Sequence, residues 1–256
     1  MQSAVMNPVP AWSAVAREQF RSVGLSLRRE AIVAGGCMGL ATLWLSYLHV
    51  NSGGAGIPFA PQAGIPVAVL ALLIPMAVWK GEEPARRGYH RAMPVSHAAH
   101  AVMRSLSGLG WMMAAVAGYF AWLAGVSAMT GGEVMIGSQP YQWLVPFTGG
   151  AVMYLLGSAL TLVTAHPWRW LGGALVAYMF MGAMRVADGT RSLFELVNTV
   201  IDGRYGLFTV LSGMSRTHGL YSPHVASAPV WMLATWMWLA VAITLFLFAA
   251  YRQPER

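Results

Sequence analysis

Charge is nearly absent from six long apolar runs in this chain and is concentrated in the stretches between them. That pattern leaves few folds open. A helix of about 20 apolar residues, rising about 1.5 Å per residue, matches the roughly 30 Å hydrocarbon core of a bilayer. The runs are Ala31–Val50, Gly64–Trp79, Leu109–Met129, Leu144–Ala165, Trp170–Ala187 and Val230–Tyr251. The second is short and contains Pro66 and Pro75, and the fifth is weakened by Gly172, Gly173, Gly182 and Arg185. The chain is 57% hydrophobic and 10% charged, against about 25% charged for soluble domains. The expectation is an all-α membrane protein, a single transmembrane domain over 1–256 with six transmembrane helices, because a lone helix pairs its own backbone groups in lipid.

The short connections orient these spans. Basic residues cluster in the N-terminal tail (Arg17, Arg21, Arg28, Arg29), after the second run (Lys80, Arg86, Arg87, Arg91, Arg104), in the turn His166–Arg169 and in the C-terminal tail (Arg252, Arg256). The alternate connections lack that excess: Asn51–Ala63 is uncharged and Thr130–Trp143 carries only Glu133. Positive residues stay on the cytoplasmic side. Both termini are therefore expected to be cytoplasmic, with the chain multi-pass in the cell inner (plasma) membrane. The net charge of +7 belongs to membrane ends facing anionic lipid, and no nucleic acid is needed to explain it.

Two segments outside the runs are amphipathic. Within 1–30, Trp12, Val15, Ala16, Gln19, Phe20, Val23 and Leu27 recur at helical spacing, with Arg17, Arg21 and Arg28 opposite. This reads as an amphipathic interfacial helix on anionic lipid; a disordered tail is the competing reading. No cleavable signal peptide is expected, since the first strong apolar run begins only at Ala31. The connection 188–229 is external in this scheme. Its charges roughly cancel, and it contains two short apolar patches, Ser192–Ile201 and Tyr205–Leu211. Leu193, Leu196, Val197 and Val200 share one side of the first; Tyr205 and Phe208 lie in the second. Both patches are too short to cross and fit re-entrant or interfacial helices; an ordinary ordered loop is the alternative.

Several chemistries lack their residues. Lys80 is the only lysine and is followed by Gly81, so no G-x-x-x-x-G-K-[ST] phosphate loop exists. H-E-x-x-H is absent too. No Asp or Glu lies in the middle of a run, where ion-coupled carriers place theirs. Cys37 is the only cysteine and reads as a small buried hydrophobe. His97 and His100 share a helix face and read as polar interfacial residues rather than metal ligands. No haem pair is visible. The chain is expected to hold no catalytic, cofactor or metal site, and so not to be an enzyme by itself.

The segment 79–104 is the most informative. It carries five of the sixteen Lys and Arg residues, with two Glu and three His. Pro94 breaks a helix and Ser96 can cap a new one from His97 onward. The order Trp79-Lys80-Gly81-Glu82-Glu83, then Arg86 to Ser96 with Tyr89 and Met93-Pro94-Val95-Ser96, then Arg104, resembles the cytoplasmic coupling segment of ABC-2-type transporter permeases. The family's motif carries a basic residue after P-V-S where this chain has His97. The amphipathic N-terminus, six runs and long outer connection are similar to that family as well.

The resemblance implies a transmembrane permease subunit of an ATP-driven ABC exporter. Its partners would be a second permease subunit, as homo- or heterodimer, and a separate ATPase subunit that binds ATP and Mg. Glu82, Glu83, Arg87, Tyr89, Arg91 and Pro94 would meet that ATPase. Leu193, Leu196, Val197, Val200, Tyr205 and Phe208 would form an external gate. Spans rich in Met, Trp and Phe suit a hydrophobic or amphipathic substrate. The alternative is a non-transporting membrane anchor or assembly subunit of a larger complex.

Overall fold

A computed structural model describes residues 12–80, 97–135, 137–164, 166–183, 188–215 and 224–252. In chain order the helices are α1 Trp12–Ser26, α2 Arg28–Asn51, α3 Ile65–Ala71, α4 Ile74–Trp79, α5 His97–Met129, α6 Val145–Val163, α7 Pro167–Ala183, α8 Asp188–Asp202, α9 Leu207–Ser212 and α10 Ala228–Tyr251. Short 3₁₀ turns, Pro61–Gly64 and Pro140–Trp143, precede α3 and α6. Strands β1 (Met214–Ser215) and β2 (His224–Val225) pair antiparallel.

Among the described residues, four helices are long and apolar enough to cross a membrane: Arg28–Asn51, Ala98–Met129, Val145–Val163 and Ala228–Tyr251. The other two expected spans fall short among the described residues, for different reasons. Ile65–Trp79 is broken in its middle, at Leu72 and Leu73, because Pro75 has no N–H to continue the ladder. With its preceding 3₁₀ turn, the stretch from Pro61 to Trp79 still extends about 30 Å. Helix α7 has 17 residues, about 25 Å, and the four residues after it lie outside the described residues.

Helix α6 is the centre of the bundle. It packs against α3, α4, α5, α9 and α10, and twelve of its residues are buried, including Tyr154, Gly157 and Ser158. In lipid no hydrophobic force drives helices together, so close packing and small residues decide who touches whom. Gly157 shows this: a Cβ there would lie 2.2 Å from the Leu72 carbonyl oxygen, so only glycine lets α6 meet the broken helix. By contrast α2 has no buried residue, and Trp168, Trp170, Leu175, Val176, Met179 and Phe180 of α7 are all exposed. These are the faces the chain leaves to lipid or to other subunits.

The connections gather at two ends. At one, the Phe59 N–H donates to Glu133 O at 3.2 Å and Ile57 N–H to Thr130 Oγ1 at 3.2 Å, and Val145, Ala226 and Trp231 pack together. At the other, Ala101, Leu162, Phe246, Ala249 and Ala250 pack with Trp79 and Val102, next to Lys80, Arg104 and Arg252. The two charge-poor connections 51–63 and 130–143 therefore share one end, and Lys80, Arg104 and Arg252 the other.

Helix α1 covers Trp12–Ser26 of the expected 1–30, and residues 1–11 lie outside the described residues. Its apolar strip does not lie wholly against lipid, however. Val23 is buried, Phe20 stacks on Trp111 of α5 at 5.0 Å between ring centroids, and Trp111 Nε1 donates to the Phe20 carbonyl at 3.0 Å. Gly24 makes room, since a Cβ there would lie 2.7 Å from the Trp111 ring.

Candidate functional site

The basic end contains the best-built polar arrangement of the described residues. Helix α4 ends at Trp79, and α5 is described from His97 onward; the expected break at Pro94 and Ser96 lies outside the described residues. Arg104 sits two turns into α5 and is 6% exposed. Its Nε and Nη2 donate to the carbonyl oxygen of Val78 at 3.1 and 2.6 Å. The guanidinium carbon also lies 5.6 Å from the centroid of the Trp79 ring.

Two physical effects favour this arrangement. The last carbonyls of α4 have no partners within the helix and carry the negative end of its dipole, which a guanidinium complements. A cation over the indole face adds quadrupole attraction. Arg104 thus ties the end of α4 to the start of α5, on either side of the segment 81–96.

A second tie starts from the neighbouring residue, Ser105. The Tyr154 hydroxyl of α6 donates to the Ser105 carbonyl at 3.0 Å, and both residues are buried. Gly108 opposes Tyr154: a Cβ at 108 would lie 2.1 Å from the hydroxyl oxygen and 3.2 Å from Val78. Helices α4, α5 and α6 meet here in one polar knot inside an otherwise apolar bundle.

The expected ATPase-contacting residues Glu82, Glu83, Arg87, Tyr89, Arg91 and Pro94 lie outside the described residues. Arg104 was legible as the basic residue opening the third span, but its target was not. A lone arginine seven residues into an apolar helix was the available signal, because such a charge must find partners.

At the opposite end, α8 and α9 stand where two short helices were expected. Leu193, Leu196 and Val200 are 52%, 62% and 49% exposed, and Tyr205 is also exposed. Val197 and Phe208 are half-buried. Burial falls instead on the following residues of α9, Thr209 to Ser212, which pack on α6 and α10. Trp238 Nε1 donates to the Tyr205 carbonyl at 3.0 Å, and the Arg204 guanidinium carbon lies 5.5 Å from the Tyr205 ring.

Beside them Tyr141 joins three pieces of chain. Its hydroxyl donates to the Ala226 carbonyl, and its ring lies 5.1 Å from that of Trp231. Burial pushes the Tyr141 phenol above its ordinary pKa. Gln142 closes the 3₁₀ turn by accepting from Gln139 N–H at 2.7 Å.

Among the described residues no group of three or more His, Cys, Asp or Glu side chains could hold a metal ion. No known family, curated protein or solved structure matches this chain. Its mostly helical architecture, with four helices long and apolar enough to cross a bilayer, makes it a candidate membrane protein.

Proposed function

We propose that this chain is the transmembrane subunit of an ATP-driven ABC-2-type transporter, with six spans and both termini in the cytoplasm. A second permease subunit and a separate ATPase complete the complex. The observation that carries the reading is the pair of hydrogen bonds from Arg104 to Val78. They fasten α4 to α5 on either side of the segment 81–96. A force applied to that segment then moves two helices together instead of unravelling one end. Charge-assisted hydrogen bonds contribute about 1.5–3 kcal/mol each, enough for a mechanical joint to survive thermal motion.

On this reading Glu82, Glu83, Arg87, Tyr89, Arg91 and Pro94 face the ATPase, and chemistry takes place only there. Helices α8 and α9 rest in the outer leaflet, with Leu193, Leu196 and Val200 toward acyl chains and the α9 end closing the exit against α6 and α10. The cargo is hydrophobic or amphipathic and is exported. The anchor reading draws on a different observation: α2 and α7 leave almost all of their apolar surface uncovered, as an assembly subunit would.

Copurification separates the two. The tagged full-length chain, extracted from its native membrane in mild detergent, is expected to bring down a P-loop ATPase in near-equal amount. A stable complex containing redox or biosynthetic subunits and no ATPase would establish the anchor reading instead.

A further inference from the structure

The break in Ile65–Trp79 has the features of a hinge. It falls halfway along the segment, where lipid or protein, not water, surrounds the backbone. Pro75 offers no N–H to the Ala71 carbonyl. Leu72 N–H, Leu73 N–H and Met76 N–H bond three residues back, to Val69, Leu70 and Leu73 at 3.1, 2.9 and 3.0 Å. The ladder is therefore tightened to 3₁₀ spacing on both sides of the break. Within the backbone ladder the Leu72 carbonyl is passed over, and it rests against the Cα of Gly157 on α6. Sharp bends of this kind sit where proline and irregular bonding remove the cost of changing the angle.

We propose that Leu72 and Leu73 form a membrane-embedded hinge, with Gly157 as its seat and α4 as its lever. The lever is held at its far end by Arg104, so α4 and the first turns of α5 swing as one body. The Tyr154 hydroxyl bond to the Ser105 carbonyl holds that body against α6 and must stretch or break for a swing. Motion of the basic end is thereby converted into a change of angle in mid-bilayer, with the outer end of the bundle fixed. This inference stands without the transporter reading, because an anchor could carry the same hinge.

Electron paramagnetic resonance distances in lipid nanodiscs test it, on the full chain with Cys37→Ala, which removes the only cysteine. Labels go on Lys80 and Leu106 for the rigid pair, and on Lys80 and Val163 for the hinged pair; all three sites are exposed. The rigid pair is expected to give one narrow distance, which broadens only in Arg104→Gln. The hinged pair is expected to gain a second, displaced population in Tyr154→Phe, and to lose it when Pro75→Ala is added. A single hinged-pair distance in both the parent and Tyr154→Phe would overturn the proposal. So would a second population that Pro75→Ala leaves unchanged. Neither result depends on ATP or on transport.

Discussion

Arg104 donates from both Nε and Nη2 to the Val78 carbonyl oxygen, closing a loop whose ends are 26 residues apart. The bond pair joins a side chain to a backbone atom, so the identity of residue 78 matters less than that of residue 104. Arg104→Ala leaves helix-end carbonyls without their cation and is expected to cost about 2–3 kcal/mol. Arg104→Lys restores the charge but not the fork and should recover only part of that loss. Thermal unfolding in detergent micelles measures both. Equal stability of all three proteins would mean that the contact holds nothing together.

Gly108 and Tyr154 should be coupled. Gly108→Ala drives a Cβ to within 2.1 Å of the Tyr154 hydroxyl oxygen. Tyr154→Phe removes that oxygen and one hydrogen bond, a loss of about 1 kcal/mol. The double variant should therefore be more stable than the sum of the single changes predicts, by roughly 1 kcal/mol or more. Strict additivity in a double-mutant cycle would show that the two residues do not meet.

Tyr141 gives its end of the bundle an alkaline sensitivity. Its folded-state pKa is raised by burial, so the folded protein keeps the phenol protonated while the unfolded chain ionises near pH 10. Its contribution is complete below that pH and is lost as pH rises from about 10 through the higher folded value. Tyr141→Phe cannot ionise, so its unfolding curves between pH 9 and 11 should fall less steeply than those of the parent, as read by circular dichroism. Parallel pH slopes would remove Tyr141 from the account.

Much of this architecture was legible from the sequence, and the limits have physical causes. Leu193 and Val200 marked α8 because an amphipathic period needs no tertiary information. Pro75 makes the break within Gly64–Trp79 visible in the sequence, but its seat is not, since that depends on where Gly157 lets α6 approach. The inner face of α1 was read as facing lipid. Lipid and a helix such as α5 are equally apolar partners, and only Gly24 and Trp111 together distinguish them. The Arg104–Val78 pairing was invisible because a backbone acceptor has no sequence signature.

The two ends of the bundle should lie on opposite sides of the membrane. Single cysteines at Lys80 and Arg252, in a Cys37-free chain, are expected to react with an impermeant maleimide only after the cytoplasmic face is opened. Cysteines at Gly131 and Val225 should react in intact cells. Labelling of Lys80 from outside would invert the topology and detach the basic segment from the cytoplasm.

Photo-crosslinking from position 82 tests whether the basic segment meets an ATPase. A benzophenone amino acid replaces Glu82 in the full chain, expressed in its native membrane, with the same group at Gly131 as the opposite-end control. A single major adduct is expected from position 82, to a protein carrying a Walker A motif, lost when Arg87→Glu is added and absent from position 131. Adducts to lipid alone, or an identical ATPase adduct from position 131, would contradict it.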